Sequence, residues 1–281
     1  MTILFVILLA AVEGAASGLL LSGAGHLQLF EKLFGVSELP FNFLYFAVVL
    51  HMGNLLAVLA TYRKEAAALG RELLRMLHIL KTPPQDKKHP PLARRELLLY
   101  GVGLLPMLLS LLLLSVVRLV YSLDNRLLLV AVGLALTGLM LFLSERFYRG
   151  SKDEKTMTPL DALLIGLAQL PTVFPGLSRA GLTTSVGVMC GLKRGCAVQF
   201  SQLLSVPVML AALVCEAIAA GGSPLQMPSI WLCLIGVAVS ALVHYAALKL
   251  LARIAQYGRF DNLSYWCWGV GILSAVLVLI A

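Results

Sequence analysis

The chain has 281 residues, of which 59% are hydrophobic and only 13% are charged, and its mean hydropathy is +0.90. This composition supplies too little polar surface for a soluble globule of that length, so a water-soluble globular enzyme is excluded. The formal net charge is +8. Membrane topology and attraction to lipid headgroups account for this charge, so no nucleic-acid partner is needed to explain it.

Six apolar runs are each close to the ~20 residues that a helix needs to cross a bilayer. They are residues 41–62, 97–121, 127–144, 199–220, 228–248 and 265–281. Two further apolar stretches, 2–28 and 159–192, are interrupted by Gly, Pro and Ser. Irregular backbone at membrane depth is tolerated only where protein or a wet cavity satisfies its polar groups. We therefore predict an all-α polytopic membrane protein with six transmembrane helices and two re-entrant helical hairpins.

The first apolar stretch has a second interpretation, a cleaved signal peptide. Such a peptide begins with a basic segment, but no Lys or Arg precedes Lys32. Glu13 also interrupts the apolar run. Both features favour the re-entrant hairpin.

Basic residues indicate the orientation of the chain. Nine of the 22 lysines and arginines lie in the loop 63–95. Further groups follow in residues 145–157, 193–194 and 249–264. Alternate spans place all these segments on one side, which the positive-inside rule makes cytoplasmic. The connections 122–126 and 221–227 contain one basic residue between them and are predicted to face outward.

The basic loop 63–95 begins with regularly spaced leucines. They are Leu69, Leu73, Leu77 and Leu80. This spacing predicts an amphipathic helix in the membrane interface, and a solvated cytoplasmic hairpin is the alternative.

A short pattern, LS-x-AG, occurs twice, in residues 21–25 and 177–181. Sliding the chain by 156 positions superposes the two hairpins and sets the first span on the fourth. Each half then has one hairpin and three spans. Because an odd number of spans ends on the opposite side of the membrane, the second half is inverted relative to the first. We therefore predict a single membrane domain, 1–281, made of inverted repeats at approximately 1–144 and 158–281. Such repeats place a binding site near the midplane, where the broken elements meet.

The two predicted tips have the chemistry of an anion site. Small residues permit tight turns, serines supply hydroxyls, and helix N-termini favour negative charge. Arg179 and Glu13 are the most deeply placed ionisable residues, and they are either functional or a mutual salt bridge that locks the hairpins. His26 could bind or protonate a phosphoryl oxygen, or hydrogen-bond to the hairpin backbone. His51 and His244 are predicted to be satisfied core imidazoles.

Two stretches of the chain read VEGAASGLLLSGAGHL and PGLSRAGLTTSVGVMCGLKRGCAVQFSQLLSVPV. They resemble the signature sequences of the bacterial undecaprenyl pyrophosphate phosphatases of the BacA type. The stretch LHMGNLLAVLATYRK and the overall length agree as well, so the resemblance covers nearly the whole chain. It implies a multi-pass enzyme of the bacterial plasma membrane that removes the terminal phosphate from undecaprenyl diphosphate at the outer face. It also implies a divalent cation, Mg²⁺ or Ca²⁺, and a homodimer is a further expectation.

The resemblance can be carried over position by position. In the first signature the matching residues are Glu13, Ser22, Gly25 and His26. The family's second glutamate is replaced by Ser17, its presumed nucleophilic serine by Gly23 and its threonine by Ala24. In the second signature the matching residues are Pro175, Gly176, Ser178, Arg179, Gly181 and Thr183, and one serine is replaced by Ala180.

These matches define the predicted site and two possible functions. The predicted catalytic residues are Glu13, Ser22, His26 and Arg179. The predicted phosphate-binding residues are Gly176, Ser178, Arg179, Gly181, Thr183 and Ser17, and Glu13 is the predicted metal ligand. In a hydrolase, Ser22 or a water attacks while Arg179 and Ser178 hold the diphosphate. The alternative is a polyprenyl-phosphate transporter or lipid-binding paralogue, because Ser17 and Gly23 replace two presumed catalytic residues.

Overall fold

The computed structural model describes residues 2–34, 43–83, 91–110, 126–220 and 229–280, and the regular elements among them are helical. The helices are α1 (Thr2–Gly18), α2 (Gly23–Phe34), α3 (Phe43–Thr61), α4 (Arg63–Met76), α5 (Leu92–Ser110), α6 (Arg126–Arg146), α7 (Pro159–Leu167), α8 (Arg179–Met189), α9 (Arg194–Ala220), α10 (Ile230–Tyr257) and α11 (Asp261–Ile280). A short 3₁₀ turn, Leu170–Val173, lies between α7 and α8. The predicted all-α class is confirmed.

Four helical segments among the described residues are long and apolar enough to cross a membrane. They are Leu127–Arg146, Arg194–Val214, Ile230–Tyr257 and Asp261–Ile280, and they coincide with the last four predicted spans. The helix α3 covers the first predicted span from Phe43, and α5 covers the second as far as Ser110. The remainder of that second span and the two outward connections, apart from Arg126, lie outside the described residues. The protein is thus a helical, multi-pass membrane protein.

Each interrupted apolar stretch folds as two helices that are joined by a turn. The second helix of each pair begins directly after a serine of the repeated LS-x-AG pattern. The Oγ of Ser22 accepts a hydrogen bond from the N–H of Gly25 at 3.2 Å. The Oγ of Ser178 accepts one from the N–H of Gly181 at 3.0 Å. The repeated pattern is therefore an N-cap, in which a serine satisfies an otherwise unbonded N–H of the first helical turn.

The first helix of each pair packs against a helix from the other half of the chain. The helix α1 lies along α10, and α7 lies along α5. A Cβ atom at Gly14 would lie 2.7 Å from the carbonyl oxygen of Ser240, so α1 needs a glycine there to approach α10. Gly166 of α7 similarly meets the backbone of Gly103 in α5. The helices α3 and α9 also pack together, as do α6 and α11.

The basic loop 63–95 begins with the helix α4, as predicted. Leu73 and Leu77 are exposed, while the buried Glu72 forms an ion pair with Arg94 of α5, with 2.6 Å between Oε1 and Nε. The helix ends at Met76, so the predicted leucine face is shorter than its spacing suggested. Residues 84–90 of the loop lie outside the described residues. An exposed leucine face beside a basic loop is typical of a helix in the membrane interface.

Candidate active site

The tips of the two helical pairs contact each other directly. The hydroxyl of Ser178 donates a hydrogen bond to the carbonyl oxygen of Leu21 at 3.0 Å. A Cβ atom at Gly25 would lie 3.0 Å from the Cα atom of Gly176, so the two backbones almost touch. The N-termini of α2 and α8 therefore meet at one place. Their N–H groups and positive dipole ends favour an anion there.

A cavity of ≈ 290 Å³ opens where the two tips meet. The residues Ser22, Gly23, Ser178 and Arg179 line it from the tips, and Glu13 and Ser17 line it from α1. Further polar lining comes from α3, α9 and α10 through His51, Gln202 and His244. The volume is near the ~300 Å³ lower end for small-molecule sites, which suits a compact polar headgroup.

Among the described residues, hydrogen bonds reach only one of the two oxygens of the Glu13 carboxylate. Its Oε1 atom accepts hydrogen bonds from Ser17 Oγ at 2.7 Å and from Asn54 Nδ2 at 3.2 Å. The Nε2 atom of His51 lies 3.5 Å from the same oxygen. The other oxygen, Oε2, is buried and has no hydrogen-bond partner among the described residues. A buried carboxylate oxygen without a donor is costly, so this atom is suited to bind a cation.

Arg179 lies in the first turn of α8 and lines the cavity. The partners of the Glu13 carboxylate in the described part of the chain are Ser17, Asn54 and His51, and Arg179 is not among them. This geometry does not support the mutual salt bridge that would lock the hairpins. An arginine that lacks a carboxylate partner can present its planar fork to two phosphate oxygens.

Three predicted phosphate-binding residues shape the second tip and do not line the cavity. Gly176 has a φ of +87°, and a Cβ atom there would press on the backbone of Val130. Gly181 supplies the N–H that Ser178 caps. The buried hydroxyl of Thr183 donates to the carbonyl oxygen of Arg179 at 2.7 Å, which fixes the first turn of α8. These residues position Ser178 and Arg179 at the cavity.

The side chain of His26 is also outside the cavity lining. Its Nδ1 atom lies 2.7 Å from the carbonyl oxygen of Ser22. The indole N–H of Trp266 donates to its Nε2 atom at 3.0 Å. Because both ring nitrogens are occupied, the geometry favours the alternative in which His26 hydrogen-bonds to the hairpin backbone.

Sequence reasoning missed several polar residues around the cavity. Asn54 holds Glu13, and Gln202 and His51 line the cavity. The prediction that His244 is a satisfied core imidazole is wrong, because both of its ring nitrogens are buried without a hydrogen-bond partner among the described residues. The available signal was that each of these polar residues interrupts an apolar helix.

A divalent cation fits the Glu13 end of the cavity if the substrate supplies further ligands. Within the described ranges, no three His, Cys, Asp or Glu side chains are grouped as a metal site. Mg²⁺, however, is commonly bound by one or two carboxylates together with substrate phosphates. The unpaired Oε2 atom of Glu13 can be that carboxylate oxygen. When bound, the cation would neutralise negative charge on a diphosphate.

Comparison with known proteins identifies the family. The family described as bacitracin resistance protein BacA matches residues 6–273. A protein from Desulfosudis oleivorans named undecaprenyl-diphosphatase is 34% identical over 272 residues, which cover 94% of each chain. Proteins of the same name from Treponema denticola and Korarchaeum cryptofilum are 32% and 31% identical, over 97% and 95% of this chain and 96% and 95% of their own. The chain therefore belongs to the bacitracin resistance protein BacA family.

Proposed function

We propose that this protein hydrolyses undecaprenyl diphosphate to undecaprenyl phosphate and inorganic phosphate, which recycles the carrier lipid for cell-wall synthesis. The observation that carries this proposal is the cavity where the tips meet. There a guanidinium group, two helix N-termini and a carboxylate bonded to a hydroxyl line one space. The relatives named undecaprenyl-diphosphatase support the choice of substrate.

The tips bind the diphosphate. Arg179 holds two phosphate oxygens through its fork, and the N–H groups of the first turns of α2 and α8 bind others. The hydroxyl oxygen of Ser22 accepts a hydrogen bond from the N–H of Gly25. The hydroxyl proton can therefore be donated to a phosphoryl oxygen. Ser22 is thus assigned to binding.

Ser17 is the hydroxyl that attacks. Its Oγ atom donates to Oε1 of Glu13 at 2.7 Å, which is the arrangement of a nucleophile with its general base. The Oγ atom forms a bond to the terminal phosphorus, and Glu13 accepts the proton. The bond between this phosphorus and the bridging oxygen breaks, so undecaprenyl phosphate leaves. Water then hydrolyses the phosphoserine and releases inorganic phosphate. This assignment exchanges the roles that the sequence predicted for Ser17 and Ser22.

The proposal includes the membrane architecture. Six transmembrane helices and two re-entrant hairpins form inverted repeats at approximately 1–144 and 158–281, in one domain of the bacterial plasma membrane. Two observations support it: both tips begin with the same serine cap, and α1 and α7 pack against corresponding helices, α10 and α5, of the opposite half. The cavity opens to the outer face, and a homodimer is expected.

Phosphate release by the purified protein tests the function. We expect release from undecaprenyl diphosphate in the presence of Mg²⁺ or Ca²⁺, and a fall in release when a chelator removes the cation. The competing function is a carrier that binds the lipid without hydrolysis, and the replacements at Ser17 and Gly23 are the observation in its favour. Tight binding of undecaprenyl diphosphate without phosphate release would establish the carrier.

A further inference from the structure

One histidine in the cavity has no structural explanation. His244 lies near the middle of α10, is 1% exposed and lines the cavity. Neither Nδ1 nor Nε2 of its ring has a hydrogen-bond partner in the part of the chain that the structure describes. Buried polar groups are nearly always bonded, so such an imidazole indicates a missing partner.

Close packing places His244 beside the proposed catalytic pair. A Cβ atom at Gly14 would lie 3.1 Å from the backbone nitrogen of His244, and one at Gly18 would lie 3.1 Å from its carbonyl oxygen. The stretch of α10 around His244 is therefore pressed onto the stretch of α1 that carries Glu13 and Ser17. These two glycines fix where the imidazole enters the cavity.

A second unpaired donor enters the cavity from another helix. Gln202 of α9 is 2% exposed and lines the cavity, and its Nε2 atom is buried without a partner among the described residues. Each buried donor left unbonded costs about 1–3 kcal/mol. Two such donors in the cavity that Arg179 also lines therefore indicate a ligand that offers several acceptor oxygens.

We propose that His244 and Gln202 are phosphate-binding residues that complete the diphosphate site from α10 and α9. An N–H group of the imidazole and the amide NH₂ group of Gln202 each donate to an oxygen of the diphosphate, beside the fork of Arg179. A neutral imidazole has the one donor that this role needs. The proposal rests on the proposed function for the identity of the lipid, but it requires only that a diphosphate binds.

Binding of a non-hydrolysable ligand tests the proposal without relying on turnover. The probe is farnesyl methylenediphosphonate, with inorganic pyrophosphate as the headgroup alone and farnesol as the chain alone. We expect His244→Leu and Gln202→Leu each to weaken binding of the probe about tenfold, and His244→Gln, which keeps a donor, to weaken it less. Binding of farnesol should not change. The control is His78→Gln, at a histidine beyond the end of α4 and away from the cavity. A His244→Leu or Gln202→Leu variant that binds the probe like the wild type would overturn the role of that residue.

A second measurement uses the unmodified protein, so it stands even if a leucine variant does not fold. In wild-type protein labelled with ¹⁵N-histidine, the ring resonances of His244, assigned with His244→Gln, should shift when the probe or pyrophosphate binds. Unchanged ring resonances at saturation with the probe would overturn the proposal, even if the protein hydrolyses undecaprenyl diphosphate. A shift in a protein that releases no phosphate would support this site and contradict the proposed hydrolysis. Tighter binding of the probe than of pyrophosphate would identify a lipid headgroup as the ligand, and equal binding a free anion.

Discussion

Glu13 and Ser17 lie one helical turn apart on α1, and this spacing brings the carboxylate and the hydroxyl into contact. The N-terminus of α2 lies against this pair. A Cβ atom at Gly23 would collide with the Glu13 carboxylate and the Ser17 hydroxyl. A larger residue at position 23 would therefore displace the pair. Ser17 and Gly23, two of the departures from the family signatures, are thus neighbours that share one small space.

Separate alanine substitutions of Ser17 and Ser22 distinguish the nucleophile from the substrate-binding residue. We expect Ser17→Ala to lower kcat for phosphate release at least about 100-fold, because the attacking group is lost. We expect Ser22→Ala to raise KM more than it lowers kcat, because Ser22 caps α2 and is proposed to bind the substrate. Steady-state kinetics with undecaprenyl diphosphate measure both parameters. The reverse pattern would restore Ser22 as the nucleophile.

Arg179→Lys keeps the positive charge but loses the planar fork. Arg179 lines the cavity and no carboxylate in the described part of the chain pairs with it, which supports the proposal that it binds the substrate. We expect the affinity for the farnesyl methylenediphosphonate probe to fall at least about tenfold, or about 1.4 kcal/mol. An unchanged dissociation constant, measured by titration in detergent, would reduce Arg179 to a structural residue of the hairpin.

At the scale of the helical elements, the second tip depends on a backbone turn that only glycine adopts without strain. Gly176 has a φ of +87°, and its carbonyl oxygen accepts a hydrogen bond from Thr137 at 3.2 Å. The same Thr137 hydroxyl accepts the N–H of Ser178 at 3.0 Å. This network sets the direction in which α8 begins, and therefore the position of Arg179.

Substitution of this glycine should damage both stability and binding. We expect Gly176→Ala to cost at least about 1–3 kcal/mol, because alanine is strained at this φ and its Cβ atom meets the backbone of Val130. The matched control is Gly269→Ala in α11, where an added Cβ atom meets nothing within 4 Å. Thermal unfolding in detergent should show a lower midpoint for Gly176→Ala only. Equal midpoints for the two variants would show that the turn is not under strain.

The sequence predicted the elements well because their signals are local. Apolar runs and their interruptions predicted the last four spans and both interrupted stretches, and the repeated LS-x-AG pattern predicted that the tips meet. The partners around Glu13 were not predictable in this way. Ser240 donates to Asn54 across 186 positions of the chain at 2.9 Å, and such contacts follow from helix packing rather than from periodicity. Periodicity also could not predict that the His244 ring nitrogens lack a hydrogen-bond partner among the described residues, because their surroundings depend on how α1 packs against α10.

At the scale of the whole molecule, the distribution of basic residues predicts which side of the membrane each end of a span faces. Residues 145–157 belong to the predicted cytoplasmic side, and Ser229 is the N-cap of α10, at the predicted outer end of the span 228–248. Ser229 and Ser151 are both exposed, so each can report its side through a thiol.

Cysteine labelling in cells tests this topology. In a background without the five native cysteines, we expect Ser229→Cys to react with an impermeant thiol reagent added outside. We expect Ser151→Cys to react only after the membrane is permeabilised, because the basic stretch around it is cytoplasmic. Equal labelling at both positions before permeabilisation would contradict the inverted repeat.

The most direct test of the proposed hydrolysis is kcat for phosphate release by Glu13→Gln at saturating undecaprenyl diphosphate and cation. The variant keeps the size of the side chain but loses the carboxylate that accepts the proton of Ser17 and supplies the unpaired Oε2 atom. We expect turnover by the wild type and a fall in kcat of at least about 100-fold in the variant. A wild-type kcat in Glu13→Gln, or a wild type that binds the lipid and releases no phosphate, would contradict the proposed hydrolysis.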